Sequence, residues 1–187
     1  MRLAIADPPY PMMRATGGNK QRASRWYGDN PRAASDKPAD IHPDAGEWDR
    51  DETHRTLLAR LMAEYDGWAI ATSPDGIAAY GSLPPTVRIM AWVKPNAQPG
   101  SHRLRSCWEP VLVMPPEGRR SNRGGVGQIA DTLVCNAPRL GFVGAKPAEW
   151  TRWVLDSMSY DERTDTVDDL FTGSGAVAAA VAQGVLL

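Results

Sequence analysis

The sequence has little cysteine, no long apolar run and almost no excess of charge. Its two cysteines, Cys107 and Cys135, are too few and too far apart for a disulfide framework or a zinc site. His42, His54 and His102 show no metal-ligand spacing, so we expect no metal. No apolar stretch reaches the roughly 18 residues that a membrane span needs, and the chain begins with a strand pattern instead of a signal peptide. These absences predict a cytoplasmic protein with reduced thiols and no membrane anchor.

The charge balance limits how the protein can attract a polyanion. Lys and Arg number 21 and Asp and Glu 22, which gives a net charge of -1 at pH 7. A net charge so close to zero provides no general attraction to nucleic acid. Any such contact must be small, use local basic patches or depend on a partner chain. The length of 187 residues predicts a single domain, 1–187, with one core.

Apolar periodicity predicts strands and helices in alternation, which indicates the α/β class. The predicted strands are 2–6, 68–72, 87–93, 110–114 and 166–170. The predicted helices are 51–66, 148–158 and 176–182. Residues 11–48 and 115–127 lack periodicity and are rich in Gly, Pro and Arg, so we predict long loops there.

Two short motifs near the ends of the chain carry most of the functional information. Asp7-Pro8-Pro9-Tyr10 directly follows the first apolar run, and Asp169 to Gly175, with the letters D-L-F-T-G-S-G, follows the last predicted strand. A D-P-P-Y motif at a strand end resembles the catalytic motif of DNA amino-methyltransferases. D-x-F-x-G-S-G resembles the cofactor loop of the same enzymes. The order, catalytic motif first and cofactor motif last, resembles the circularly permuted beta class of that family.

Two further segments fit this resemblance. Glu109-Pro110-Val111-Leu112 resembles an E-P-I-L segment of the family, and Lys146-Pro147 stands where the permuted enzymes have a K-P motif. The resemblance implies a Rossmann-like S-adenosylmethionine-dependent methyltransferase fold, a three-layer α/β/α sandwich with permuted motif order. A chain this small would suit an enzyme of a phage or a mobile element.

The implied reaction is methylation of N6 of adenine in DNA, with S-adenosylmethionine as cofactor and no metal. The Asp7 carboxylate and the Pro8 carbonyl would accept hydrogen bonds from the amine and localise its lone pair. Proline fixes the backbone here and adds no competing N–H group. Tyr10 would stack on the extruded base. The implied catalytic residues are Asp7, Pro8, Pro9 and Tyr10.

The second motif implies a cofactor site in which backbone and ligand approach closely. Glycines allow that approach beside a helix start, Phe171 offers an apolar wall, and Asp169 can accept a hydrogen bond from the cofactor's amino group. The implied cofactor residues are Ala6, Asp7, Lys146, Pro147, Asp169, Phe171, Gly173, Ser174 and Gly175.

Basic residues mark the implied contacts with DNA. The family keeps its target-recognition segment between the E-P-V-L strand and the K-P motif. Here we predict a short segment at 96–137, which also includes the E-P-V-L strand and the residues before it. Stacking aromatics among cations in the 11–48 loop suit single-stranded or mismatched DNA, with a second copy or a partner subunit contributing to the interface. The implied nucleic-acid residues are Arg25, Trp26, Tyr27, Arg103, Arg105, Arg119, Arg120 and Arg123.

Several alternatives stay open at this point. N4 of cytosine presents a similar amine, and RNA is a further substrate class. Asp-Pro-Pro also makes an ordinary turn, and glycine-rich turns join strands to helices in many proteins that bind nothing there. In the family a later acidic residue holds the cofactor ribose, but no Asp or Glu follows Gly175 in this sequence. That departure favours the alternative of a non-catalytic methyltransferase-like subunit that binds nucleic acid or a catalytic partner.

Overall fold

The computed structural model describes residues 1–11, 44–99, 103–121, 127–139, 144–173 and 175–182. The strands are β1 (Arg2–Ala6), β2 (Gly67–Ala71), β3 (Arg88–Val93), β4 (Trp108–Met114), β5 (Thr132–Val134) and β6 (Thr166–Asp169). The α-helices are α1 (Asp51–Glu64), α2 (Ala148–Ser157) and α3 (Ala176–Ala182). Short 3₁₀ helices cover Glu47–Asp49, Asp75–Tyr80 and Glu117–Arg119. None of the helices in these described ranges is long and apolar enough to cross a membrane.

The strands form one sheet in the order β5-β3-β4-β2-β1-β6. Strand β1 is parallel to both β2 and β6, and β3 is parallel to β5. Strand β4 is antiparallel to its neighbours β2 and β3. Two consecutive parallel strands usually need a crossover connection with a helix. The described part of the link between β3 and β4 contains no helix, which is consistent with their antiparallel pairing. The mixed, mostly parallel sheet confirms the predicted α/β class.

The helices pack on both faces of this sheet. On one face Leu57, Leu58 and Leu61 of α1 pack on Ala4 and other residues of the central strands. On the other face α2 and α3 pack on a second core cluster that includes Leu3, Ile5, Val111 and Trp150. Residues Leu3 to Ala6 are at most 1% exposed, which explains the unbroken apolar run of a strand that is covered on both sides.

Several details differ from the predicted elements, and most of the other strands and helices differ by one or two residues at an end. Strand β4 begins at Trp108 and therefore includes Glu109, whereas the prediction began at residue 110. Strand β5 was not predicted, because three residues of mixed exposure give no periodic signal. The 3₁₀ helix Glu47–Asp49 begins in the predicted loop at 11–48, and Glu117–Arg119 lies in the predicted loop at 115–127. Residues 12–43 and 122–126 of these loops lie outside the described residues.

The topology singles out one edge of the sheet, which we call the carboxyl edge because β1, β2, β3 and β6 all end there. From β1 the chain first reaches β2 on one side, and β6 later adds on the other side. In open α/β sheets, ligands bind outside the carboxyl ends of the strands where the strand order reverses. That point lies between β1 and β6.

Replacing Leu112 tests whether β4 contributes to the hydrophobic core on the α1 face of the sheet. Leu112 is fully buried, and its cross-strand partner Ile89 is 49% exposed. We expect Leu112→Ala to lower the free energy of unfolding by about 2–5 kcal/mol, because it leaves a cavity. Ile89→Ala, its matched control, should cost less than about 1 kcal/mol. Equal losses in chemical denaturation would contradict the placement of β4 in the core.

Candidate active site at the carboxyl edge

The two sequence motifs meet at the carboxyl edge between β1 and β6. Asp7 directly follows β1, and Asp169 is the last residue of β6, paired with Ile5 in the parallel register. The Leu170 amide donates to the Ile5 carbonyl at 3.0 Å, which fixes the start of the loop after β6. Burial raises the pKa of Asp169, and the nearby charge of Asp7 raises it further. Carboxylates from opposite ends of the sequence therefore share one site.

Lys146 joins this site through an ion pair with Asp7. Its Nζ atom lies 3.0 Å from Oδ1 and 2.8 Å from Oδ2 of Asp7, and 3.1 Å from the Tyr10 hydroxyl. It also donates to the Gly144 carbonyl at 3.1 Å. The Lys146 side chain is only 6% exposed. The resemblance implied a cofactor role for Lys146, whereas the contacts found here are with the D-P-P-Y motif.

Glu109 and Lys94 complete the charge network, and neither was among the predicted site residues. The Tyr10 hydroxyl donates to Glu109 Oε2 at 2.8 Å, and the Lys94 ammonium pairs with the other Glu109 oxygen. Lys146 Nζ lies 3.6 Å from Glu109 Oε2. The sequence signal that could have identified Glu109 is a charged residue directly before an apolar strand. The structure shows that the following residues, Pro110 to Met114, are all buried, so a charge beside them needs a partner.

The charges of this network balance, with two ammonium groups against two carboxylates. Burial raises the pKa of Asp7, although Lys146 opposes the shift. Burial alone would also raise the pKa of Glu109, but Lys146 and Lys94 outweigh it and hold that pKa below its usual range. The network therefore shifts the pKa values of its two carboxyl groups in opposite directions.

Aromatic rings enclose the shared ammonium group. Lys146 Nζ lies 5.4 Å from the ring centre of Tyr10, 5.9 Å from that of Trp92 and 5.7 Å from that of Trp150. Cations are attracted to the faces of such rings at about 6 Å or less. Because the Lys146 side chain is only 6% exposed, its charge interacts with both carboxylates more strongly than it would at the surface.

The other D-P-P-Y residues are buried supports for the site. Ala6 belongs to β1 and is fully buried, and Pro8 and Pro9 are buried directly beyond it. Pro147 precedes the first residue of α2, and its carbonyl accepts from the Trp150 amide at 3.0 Å. Lys146 is thus anchored by the start of a helix, and Asp7 by the end of a strand.

The loop after β6 has the backbone of a close-approach turn. Gly173 and Gly175 have φ of 33° and 73°, a left-handed conformation that residues with a side chain adopt at a cost. A Cβ atom added to Gly175 would meet no atom of the described residues within 4 Å, so there is open space beside it in that part of the chain. The Phe171 amide donates to Asp169 Oδ1 at 3.3 Å. Ser174 lies outside the described residues.

A row of four aromatic rings in edge-to-face contact begins at Phe171. The ring centroids of Phe171 and Trp48 are 5.0 Å apart, those of Trp48 and His54 5.2 Å, and those of His54 and Tyr80 5.2 Å. His54 is fully buried, with Nε2 2.9 Å from the Trp48 carbonyl and Nδ1 3.3 Å from the Tyr80 hydroxyl. Burial lowers the pKa of His54, which favours the neutral ring. Sequence reasoning gave Trp48 and His54 no role in the site.

The predicted nucleic-acid residues do not lie together. Arg103 and Arg105 are exposed and follow the end of β3, and Arg105 donates to the Pro95 carbonyl at 3.0 Å. Arg119 and Arg120 follow the end of the antiparallel β4, at the opposite edge of the sheet. There Arg119 pairs with Asp165, which directly precedes β6. Arg25, Trp26, Tyr27 and Arg123 lie outside the described residues.

The described residues contain no group of three or more His, Cys, Asp or Glu side chains that could hold a metal ion. Cys107 and Cys135 are free thiols, and burial raises the pKa of Cys135. The Trp92 indole N–H donates to the Cys135 carbonyl at 3.2 Å. The polar groups described above at the carboxyl edge are carboxylates, ammonium groups and the Tyr10 hydroxyl.

Removing the Lys146 charge tests the network. Lys146→Met should lower the free energy of unfolding at pH 8 by about 3–5 kcal/mol, because it removes a buried ammonium group and leaves two partly buried carboxylates without their shared cation. Lys94→Met, the matched control, should cost less, because in the network Lys94 pairs only with Glu109.

The pH dependence of that loss follows from the two carboxylates. Without Lys146 the folded-state pKa values of Asp7 and Glu109 should both rise, so protonation relieves the unpaired charges as pH falls. The difference in unfolding free energy between wild type and Lys146→Met should therefore shrink from pH 8 to pH 5. A difference that stays constant or grows would contradict the ion-pair account.

No protein-family model matches this chain, and no curated protein matches it. Its function must therefore be inferred from the chemistry and geometry of the residues at the carboxyl edge.

Proposed function

We propose that the protein is an S-adenosylmethionine-dependent methyltransferase that acts on N6 of adenine in DNA. One observation carries the proposal: Asp7-Pro8-Pro9-Tyr10 and the Asp169 to Gly175 loop come from opposite ends of the sequence and meet at the carboxyl edge between β1 and β6. A mixed sheet with helices on both faces is compatible with the Rossmann-like sandwich that the resemblance implies. The catalytic strand precedes the cofactor strand in the chain, as permuted motif order requires.

The loop after β6 fits the amino-acid half of the cofactor. Asp169 can accept from an ammonium group, and the open space beside Gly175 would admit a ligand that a side chain would displace. Asp169, Phe171, Gly173 and Gly175 would hold the cofactor, which supplies an electrophilic methyl group when bound. Ala6, at the end of β1, and Pro147, at the start of α2, would fix the backbone beside this site.

Asp7 can act on the target amine even while it is paired with Lys146. A carboxylate has about four lone-pair sites, and Lys146 uses one on each oxygen. A remaining site can accept from the exocyclic N–H, with the Pro8 carbonyl as second acceptor. As the nitrogen gains a methyl group it must lose a proton, and a carboxylate whose pKa is raised is suited to take it.

Tyr10 is held in a fixed orientation by the same network. Its hydroxyl accepts from Lys146 at 3.1 Å and donates to Glu109 at 2.8 Å. A ring fixed at its hydroxyl can offer one face to an extruded base without losing rotational freedom on binding. Lys146 and Glu109 would therefore position both the acceptor and the stacking surface.

The first functional prediction concerns Asp7. Asp7→Ala should reduce methyl transfer by about 100- to 1000-fold, since losing one acceptor in a preorganised site costs roughly 3–4 kcal/mol. Asp168→Ala is the matched control, because Asp168 lies on the neighbouring strand β6 and pairs with Arg2 instead. Transfer is measured as tritium moved from S-adenosylmethionine to DNA. An Asp7→Ala variant that keeps more than about a tenth of wild-type turnover would contradict the catalytic role.

The second prediction concerns the DNA contact. Arg103 and Arg105 share the carboxyl edge with Asp7, so Arg105→Ala should weaken DNA binding and reduce its salt slope by about 0.7–0.9. Arg120→Ala, at the opposite edge, should leave the slope unchanged.

Single-stranded and mismatched oligonucleotides should react faster than perfect duplex, because a small interface offsets little of the cost of base flipping.

Filter binding at two salt concentrations, with the mass of the protein in solution, measures the slope. The number of phosphate contacts, and with it the salt slope, should increase if a second copy or a partner subunit adds its own basic residues. Salt-independent binding by a monomer, or equal effects of the two arginine variants, would argue against this surface.

A further inference from the structure

A cavity of about 480 Å³ lies directly beyond the loop after β6. It is bounded on one side by Leu170 and Phe171 and on the other by α1 and the 3₁₀ helix before it. Thr53, Thr56, Leu57 and Arg60 line it from α1, and their spacing places them on one face of that helix. The volume is in the range of small-molecule sites, roughly 300–1,000 Å³.

The walls of this cavity are suited to a flat apolar group. Trp48 and Phe171 stand edge to face at 5.0 Å and both line it, with Leu57 and Leu170 beside them. The buried His54 holds Trp48 in place, because its Nε2 is 2.9 Å from the Trp48 carbonyl and its ring packs against the indole with 5.2 Å between centroids. Aromatic walls that are already in place lose little freedom when a ring binds against them.

The rim of the cavity supplies a carboxylate beside these walls. Glu47 precedes Trp48, and its backbone carbonyl accepts from the Thr53 hydroxyl at 2.7 Å. Its carboxylate pairs with Arg50 at 2.9 Å and is half exposed, so lone pairs remain for hydroxyl donors. Glu52 also lines the cavity, but its side chain is 80% exposed. Neighbouring hydroxyls on a sugar are donors that a carboxylate of this kind binds.

The cavity continues the proposed cofactor site outward from the sheet. Phe171 is two residues from Asp169 and two from Gly173, the residues assigned above to the amino-acid half of the cofactor. The geometry points to this cavity as the site of the cofactor's adenosine half, with the purine against Trp48 and Phe171 and the ribose hydroxyls on Glu47. This assignment rests on the proposed methyltransferase function. It places the ribose carboxylate on Glu47, before α1.

The test uses two ligands and a pair of matched variants. S-adenosylhomocysteine carries both halves of the cofactor, and 5′-methylthioadenosine carries only the nucleoside half. Thr56→Trp fills the cavity from an exposed helix position, and Ala59→Trp makes the same change at an exposed position of α1 that does not line it. Binding is measured by titration calorimetry on the full chain, after circular dichroism confirms that both variants are folded.

Thr56→Trp should weaken both ligands by about tenfold or more, and Ala59→Trp should leave both within about threefold of wild type. Glu47→Gln should weaken both ligands as well. Gly175→Val should weaken S-adenosylhomocysteine but spare 5′-methylthioadenosine, because it blocks only the amino-acid half.

The outcomes separate this inference from the proposed function. If the wild type binds S-adenosylhomocysteine and Thr56→Trp binds it equally well, the adenosine lies elsewhere, while the methyltransferase proposal stands. Equal weakening by Thr56→Trp and Ala59→Trp would also overturn the cavity assignment. A wild-type protein that binds neither ligand would overturn the assignment and the proposed function together.

Discussion

The buried ammonium group of Lys146 is the interaction on which the carboxyl edge depends. It lies within ion-pair distance of both Asp7 and Glu109 and also donates to Tyr10. Without this shared cation, the two partly buried carboxylates would repel one another, and their pKa values would rise. Lys94 supplies the second positive charge, so the cluster is neutral. Neutrality allows the chain to bury a polar site under aromatic rings and still keep Asp7 able to accept hydrogen bonds.

The topology explains why residues so far apart in the sequence form this cluster. Asp7 follows the central strand β1, Glu109 lies in the antiparallel β4, and Lys146 precedes α2. Antiparallel pairing places Trp92 opposite Glu109, which brings the end of β3 and the start of β4 to the same edge. The start of a helix, the ends of β1 and β3 and the start of β4 therefore converge at the carboxyl edge. A site built on such rigid elements holds its groups more precisely than one built on loops.

Part of this arrangement could be predicted from the sequence. The apolar run before Asp7 and the spacing in 51–66 gave the correct element types, because burial imposes the periods that sequence patterns report. Strand direction carries no such signal, so the antiparallel β4 could not be predicted. Nor could the partners of Lys146, because an ion pair depends on three-dimensional proximity. The arginines show the same limit: Arg105 and Arg119 are close in sequence but lie at opposite edges of the sheet.

The central claim is that the carboxyl edge transfers a methyl group to adenine N6. Incubating the protein with tritiated S-adenosylmethionine and single-stranded DNA, then digesting the DNA to nucleosides, tests it most directly. The account predicts that the label elutes as N6-methyladenine. Label in N4-methylcytosine would show the wrong target amine, and no label under conditions where the protein binds the cofactor would contradict catalysis at Asp7.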